Sequence, residues 1–60
     1  MYLKLNGSKV LEFKDEEVEG WYYTDKVLTP PSLTVGQRAY IRYDKDIDDF
    51  YFENEKGEVI

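Results

Sequence analysis

No apolar run in this chain exceeds three residues before a polar side chain interrupts it. A bilayer-crossing helix needs about 20 apolar residues in a row, so none is encoded here. A buried helix of useful length is equally unsupported, because no segment repeats its apolar positions with a period near 3.6. What remains is alternation at period two, cut into short pieces by turn-forming residues. Tyr2-Leu3-Lys4-Leu5 alternates, Asn6-Gly7 turns the chain, and Lys9-Val10-Leu11-Glu12-Phe13 resumes with Leu11 and Phe13 on one face. These pieces predict a β-hairpin. Lys14 to Glu19 is a charged connector with Val18 as its one apolar anchor.

The most β-prone stretch is Gly20 to Leu28, in which Trp21, Tyr23 and Val27 share one parity and Tyr22 takes the other. Thr29-Pro30-Pro31-Ser32 ends it, since paired prolines remove two amide donors and hold the backbone extended. Leu33-Thr34-Val35-Gly36 then predicts a loop closing on a glycine turn. Arg38 to Tyr43 alternates with Ala39, Ile41 and Tyr43 inward and Arg38, Tyr40 and Arg42 outward. Asp44 to Asp48 is an acidic turn. Asp49 to Glu53 is a strand with Phe50 and Phe52 inward and Tyr51 outward. Asn54 to Gly57 turns again, before a short terminal strand at Glu58-Val59-Ile60. Five or six short strands within 60 residues predict one all-β domain over 1–60, a strongly bent small barrel whose closure removes exposed edges.

A chain this short buries only about 60% of its unfolded surface, so its core is marginal. There is no cysteine to add a disulfide and no histidine or thiolate to bind zinc. Six tyrosines, three phenylalanines and one tryptophan are the compensation, supplying dense aromatic packing. Trp21 is expected in that core. The lack of histidine also removes the ordinary neutral-pH acid/base, and isolated glycines make no phosphate loop. An enzyme is therefore not expected, nor is a cofactor. The opening residues carry no apolar signal region, which makes cytoplasm the expected location.

From Leu33-Thr34-Val35-Gly36-Gln37, through the aspartate-rich turn and aromatic strand to Asn54-Glu55-Lys56-Gly57-Glu58, the sequence resembles small phage and prophage proteins. Those carry a leucine-threonine-valine-glycine-lysine turn followed by a tyrosine-bearing strand. The resemblance spans residues 33–60 and implies an SH3-like barrel and a phage or mobile-element accessory role. Gln37 stands where that family has lysine, and Ala39 occupies an inward site where tyrosine is common. Fold alone does not carry function.

Seven acidic and basic positions from Arg38 to Asp49, together with Glu55, define the remaining chemistry. Asp44, Asp46, Asp48 and Glu55 match positions one, three, five and twelve of a calcium loop. Asp49 occupies the place of the required glycine, and no helices flank the segment, so a solvated acidic turn is the expected reading. Arg38, Tyr40 and Arg42 form the one basic–aromatic triplet. A net charge of -5 makes salt bridges its expected role, and direct nucleic-acid or membrane binding is not expected.

The acids point instead to a protein partner. Asp44, Asp46, Asp48, Asp49, Glu53, Glu55 and Glu58, with a second cluster at Asp15, Glu16, Glu17 and Glu19, are candidates to imitate a strip of phosphates. Such a face would occupy a basic site on a nucleic-acid-binding protein of the host or phage. Tyr22, Tyr40 and Tyr51 are the candidate contact rings, with cross-strand packing as the alternative use for each. The expected function is a noncatalytic interaction module that inhibits or modulates a host protein. A structural accessory module acting through self-association, as a homo-oligomer, or through docking in a larger assembly is the alternative.

Overall fold

The computed structural model describes all residues from Met1 to Ile60. It contains five strands and no helix: β1 (Tyr2–Asn6), β2 (Lys9–Lys14), β3 (Tyr22–Tyr23), β4 (Tyr40–Asp44) and β5 (Asp49–Glu53). All pairings are antiparallel, in the order β3-β1-β2-β4-β5. The sheet curls into a half-barrel, consistent with the strongly bent small SH3-like barrel expected, but the closure that would remove its exposed edges is partial.

The first hairpin forms one residue later than the Asn6-Gly7 signal suggests. Asn6 is paired with Lys9, so Gly7 and Ser8 are the two turn residues. Only Gly7 has a positive φ, +62°, which matches the hairpin turn with glycine in its first central position. Along the hairpin Lys4 faces Glu12 but Leu5 faces Val10, leaving Leu11 as an extra residue in a β-bulge. Such a bulge increases the local twist, and here it lies in the strand that joins the two halves of the sheet.

β3 is far shorter than its β-prone sequence predicts. Tyr22 and Tyr23 pair with Leu3 and Tyr2, and Thr24 exchanges two 3.0 Å backbone bonds with Met1. The Thr24 hydroxyl then accepts a bond from the Lys26 amide at 3.1 Å. This local side-chain bond turns the backbone away from the ladder, competing successfully with strand propensity. Residues 25 to 39 run on without regular structure. At their end the Gln37 amide donates to Thr34 O, with Gly36 at φ +88°, closing the expected glycine turn. The Gln37 side-chain oxygen also accepts from the Thr34 amide at 2.9 Å. Lysine, which has no acceptor, has no equivalent bond to offer at this position.

The expected terminal strand is reduced to one bridge, Glu53 with Val59, plus a bond from the Ile60 amide to Phe52 O. Asn54 holds this return in place, its side-chain oxygen accepting from the Lys56 and Glu58 amides. Closure is also incomplete elsewhere. β2 meets β4 at one paired position only, Lys9 with Arg42, next to a 2.8 Å bond from the Tyr43 amide to Ser8 O.

Register places Leu3, Leu5, Phe13, Tyr22, Ile41, Tyr43, Phe50 and Phe52 on the concave face. Within it only Leu3 and Tyr43 are fully buried apolar residues, joined by one buried polar residue, Thr24. The Tyr43 ring lies 5.1 Å from Phe50 and 5.4 Å from Tyr22, in tilted and edge contacts. In a flat sheet β3 and β4 would stand about 14 Å apart, three spacings of roughly 4.8 Å. Ring contact between Tyr22 and Tyr43 is therefore direct evidence of the curl. Trp21 is half-buried at the rim rather than enclosed, with the Lys14 ammonium 5.7 Å from its ring centre.

One carboxylate fastens the curl. The Tyr43 hydroxyl and the Thr24 hydroxyl both donate to Oδ1 of Asp48, the latter at 2.9 Å. Asp48 reaches them with φ +52°, the left-handed region that Asp tolerates better than most residues. The two hydroxyls, with Lys26 adding its charge, hold the Asp48 carboxyl below its ordinary range. Burial, reinforced by the Asp48 carboxylate, pushes the Tyr43 phenol up from its usual value near 10.

These opposite shifts set two limits on stability. The Asp48 contribution is complete above the unfolded carboxyl value near 4 and is lost as pH falls through the lower folded value. The Tyr43 contribution is complete below about 10 and is lost as pH rises, because the unfolded phenol ionises first. Urea midpoints measured from pH 2 to 11 are expected to form a plateau between those limits. Asp48→Asn should flatten the acid limb and Tyr43→Phe the alkaline limb. An acid limb unchanged in Asp48→Asn would exclude this carboxylate as its source.

Candidate protein-docking face

The outer face of the β4–β5 hairpin follows directly from its register. Tyr40 stands opposite Glu53, Arg42 opposite Tyr51, and Asp44 opposite Asp49. Because Ile41, Tyr43, Phe50 and Phe52 point to the core, these six side chains share the other surface. Five sequence-identified candidates are thus brought together: Tyr40, Tyr51, Asp44, Asp49 and Glu53. Tyr40 remains 41% exposed, whereas Tyr51 is half-buried.

The acids of this face are not equivalent. Arg42 Nε donates diagonally to Glu53 Oε1 at 2.5 Å, and both side chains are about four-fifths covered. This partly buried, charge-assisted pair neutralises Glu53 and removes it as a free charge. Asp44 accepts from the Asp46 amide and Asp49 from the Phe50 amide, each at 2.9 Å through one oxygen. Their other oxygens make no hydrogen bond within the chain. Asp46 lies exposed at the tip of the turn.

Two candidates fall elsewhere. Asp48 points to Tyr43 and Thr24 and is a fastening group rather than a solvated charge. Tyr22 is on the concave face against Tyr43, with the Lys45 ammonium 5.3 Å from its ring centre. The outward aromatic of that strand is Tyr23, 57% exposed and 5.1 Å from the Tyr2 ring. The parity of residues 20–28 separates Tyr22 from Tyr23, but parity alone does not say which side meets the core. Thr24 was also invisible as a core contact, because its partner Asp48 lies 24 positions away.

Both arginines of the basic–aromatic triplet have carboxylate partners, Arg42 with Glu53 and Arg38 with Glu55 at 3.9 Å. The second pair is widely exposed and contributes little to stability. Glu55 lies beyond the far end of β5 from the acidic turn, so the calcium-loop spacing does not assemble, and no group of three metal-ligating side chains converges. The acids at 15–19 follow Lys14, at the end of β2 opposite its Lys9–Arg42 junction with β4.

Two open depressions flank the hairpin. One, of about 370 Å³, lies at its turn beside Gly7 and Ser8 and is edged by Asp44, Asp46 and Tyr51. The other, of about 270 Å³, lies between the Gly36 turn and Asn54–Glu58 and is lined mainly by polar and charged residues, with Ile60 at its side. Neither is an enclosed apolar pocket of the kind that holds a small cofactor. No helix is long and apolar enough to cross a membrane. Comparison with protein families, with curated proteins and with solved structures finds no match to this chain.

The Asp44–Asp49 pair opposes like charges across adjacent strands, an arrangement that works against hairpin stability. Asp49→Asn keeps the oxygen that accepts the Phe50 amide and removes the repulsion. Its thermal midpoint is expected to rise slightly in dilute buffer, with the gain shrinking in 1 M salt as screening takes over. A lower midpoint under both conditions would show that the charge supports the hairpin.

Proposed function

We propose that this chain is a noncatalytic protein-interaction module whose docking face is the outer surface of the β4–β5 hairpin. The observation that carries this reading is the exposed Tyr40 ring beside an internally neutralised Arg42–Glu53 pair. Exposed tyrosine offers a large, rigid contact with a polar tip, and such rings concentrate binding energy at protein interfaces. The adjacent Arg42 and Glu53 are already paired, so covering them does not isolate a charge. Asp44, Asp46 and Asp49 form an acidic margin that would speed encounter with a basic surface.

The partner is accordingly a protein with a basic patch, in keeping with a phage or mobile-element factor that blocks or modulates a host nucleic-acid-binding protein. Its mechanism would be steric occupation, guided by charge and retained by Tyr40 and Tyr51. With Asp48 committed to the fold, the acidic margin is narrower than the full run of aspartates suggests.

The test is affinity capture from the native cellular background, followed by titration of the purified partner. Tyr40→Ala is expected to weaken binding roughly tenfold or more, the scale of a central interface ring, while leaving the thermal midpoint nearly unchanged. Asp44→Asn with Asp49→Asn should slow association and flatten its salt dependence. A partner that binds all these variants with unaltered affinity and rate would overturn the assignment of this face.

A further inference from the structure

The outer half of β2 has no neighbour. β1 pairs along one side of the whole strand, but β4 reaches the other side only at Lys9. From Leu11 to Lys14 the second row of backbone donors and acceptors is therefore unpaired, in a strand that nominally lies inside the sheet. Leu11 is 51% and Phe13 47% exposed beside that row, so no loop covers it. An open edge of this kind is a template for another strand.

We propose that a second copy of this chain occupies it, through antiparallel β2–β2 pairing about a two-fold axis at Phe13. The sequence selects both the occupant and the register. With the axis at Phe13, Glu12 of each copy stands opposite Lys14 of the other, giving two opposite-charge pairs. With the axis one residue away, Glu12 would face Glu12 or Lys14 would face Lys14, and like charges directly opposed are destabilising. Neither Glu12 nor Lys14 is used in an ion pair within the chain, whose two ion pairs are Arg38–Glu55 and Arg42–Glu53.

The same axis continues the core. Leu3 faces Phe13 within one copy, so the concave face would carry an unbroken row of Leu3, Phe13, and Phe13 and Leu3 of the second copy. On the convex face Lys4 faces Glu12, and Tyr2 faces Lys14. That row would read Lys4, Glu12, and then Lys14 and Tyr2 of the second copy, alternating in charge up to the tyrosine. The pairing uses residues beyond Lys9 and leaves the β2–β4 junction untouched. Two five-stranded sheets would join along strands that each have a free half. This surface is separate from Tyr40 and Tyr51, so its test is independent of the docking face.

Sedimentation equilibrium of the intact chain is expected to show a monomer–dimer equilibrium below roughly 1 mM. Glu12→Lys and Lys14→Glu should each weaken it by about tenfold or more, since both charge pairs turn repulsive. An equimolar mixture of the two variants should recover the dimer, because every contact then pairs a lysine with a glutamate. The double variant, E12K with K14E, should recover it alone. In the unmodified protein, the Phe13 amide, which points away from β1, should gain protection from hydrogen exchange as concentration rises, a reading that needs no substitution. A strictly monomeric wild type would overturn the proposal, as would single variants that dimerise normally. A Phe13 amide insensitive to concentration would do the same.

Discussion

A single aspartate joins two parts of the chain that hydrogen-bonded strand pairing leaves apart. Asp48 belongs to the turn of the β4–β5 hairpin, while Thr24 closes the short strand at the opposite edge of the sheet. Tyr43 projects from β4 into the space between them and donates to the same oxygen. With β2 and β4 paired at one position, little else in the backbone ladder fixes the angle between the two halves. The hydroxyl–carboxylate cluster supplies that angle, and the rings of Tyr22, Tyr43 and Phe50 fill the space that it encloses. Since Leu3 and Tyr43 are the only fully buried apolar residues, the cluster sits at the centre of a very small core.

Strand identity was readable wherever alternation and turn chemistry agreed. Both hairpins, the inward Ile41, Tyr43, Phe50 and Phe52, and the turns at Gly36 and Asn54–Gly57 follow from local pattern, because each depends on neighbours in sequence. The errors arise where a distant or side-chain contact prevails. Gly20–Leu28 has the strongest strand propensity, yet the Thr24 hydroxyl captures the Lys26 amide and ends the strand at Tyr23. The terminal Glu58–Ile60 segment alternates too little to reveal that one bridge is all it makes.

The candidate face was legible for the same reason that the second hairpin was. Five of its residues lie on two adjacent strands with an uninterrupted register, so parity places them together. Asp48 and Tyr22 turn to the core instead, through neighbours across the curl that cannot be counted along the chain. The four aspartates between positions 44 and 49 are alike in type but divide into two backbone acceptors, one exposed tip and one core fastener. Aromatic residues divide similarly, with Tyr43 buried, Tyr22 half-buried against it, and Tyr23 and Tyr40 open to solvent. A small core leaves many such rings and edges outside, and the surfaces argued for above are drawn from that remainder.

The most direct test of this account is a double-mutant cycle between Thr24 and Asp48, using Thr24→Val and Asp48→Ala with stability read from urea unfolding. If one carboxylate oxygen holds both halves together, either substitution already disables the connection between them. The double variant should then be much less destabilised than the sum of the single effects. Simple additivity, with each change acting as though the other residue were absent, would contradict the claim that this contact sets the curl.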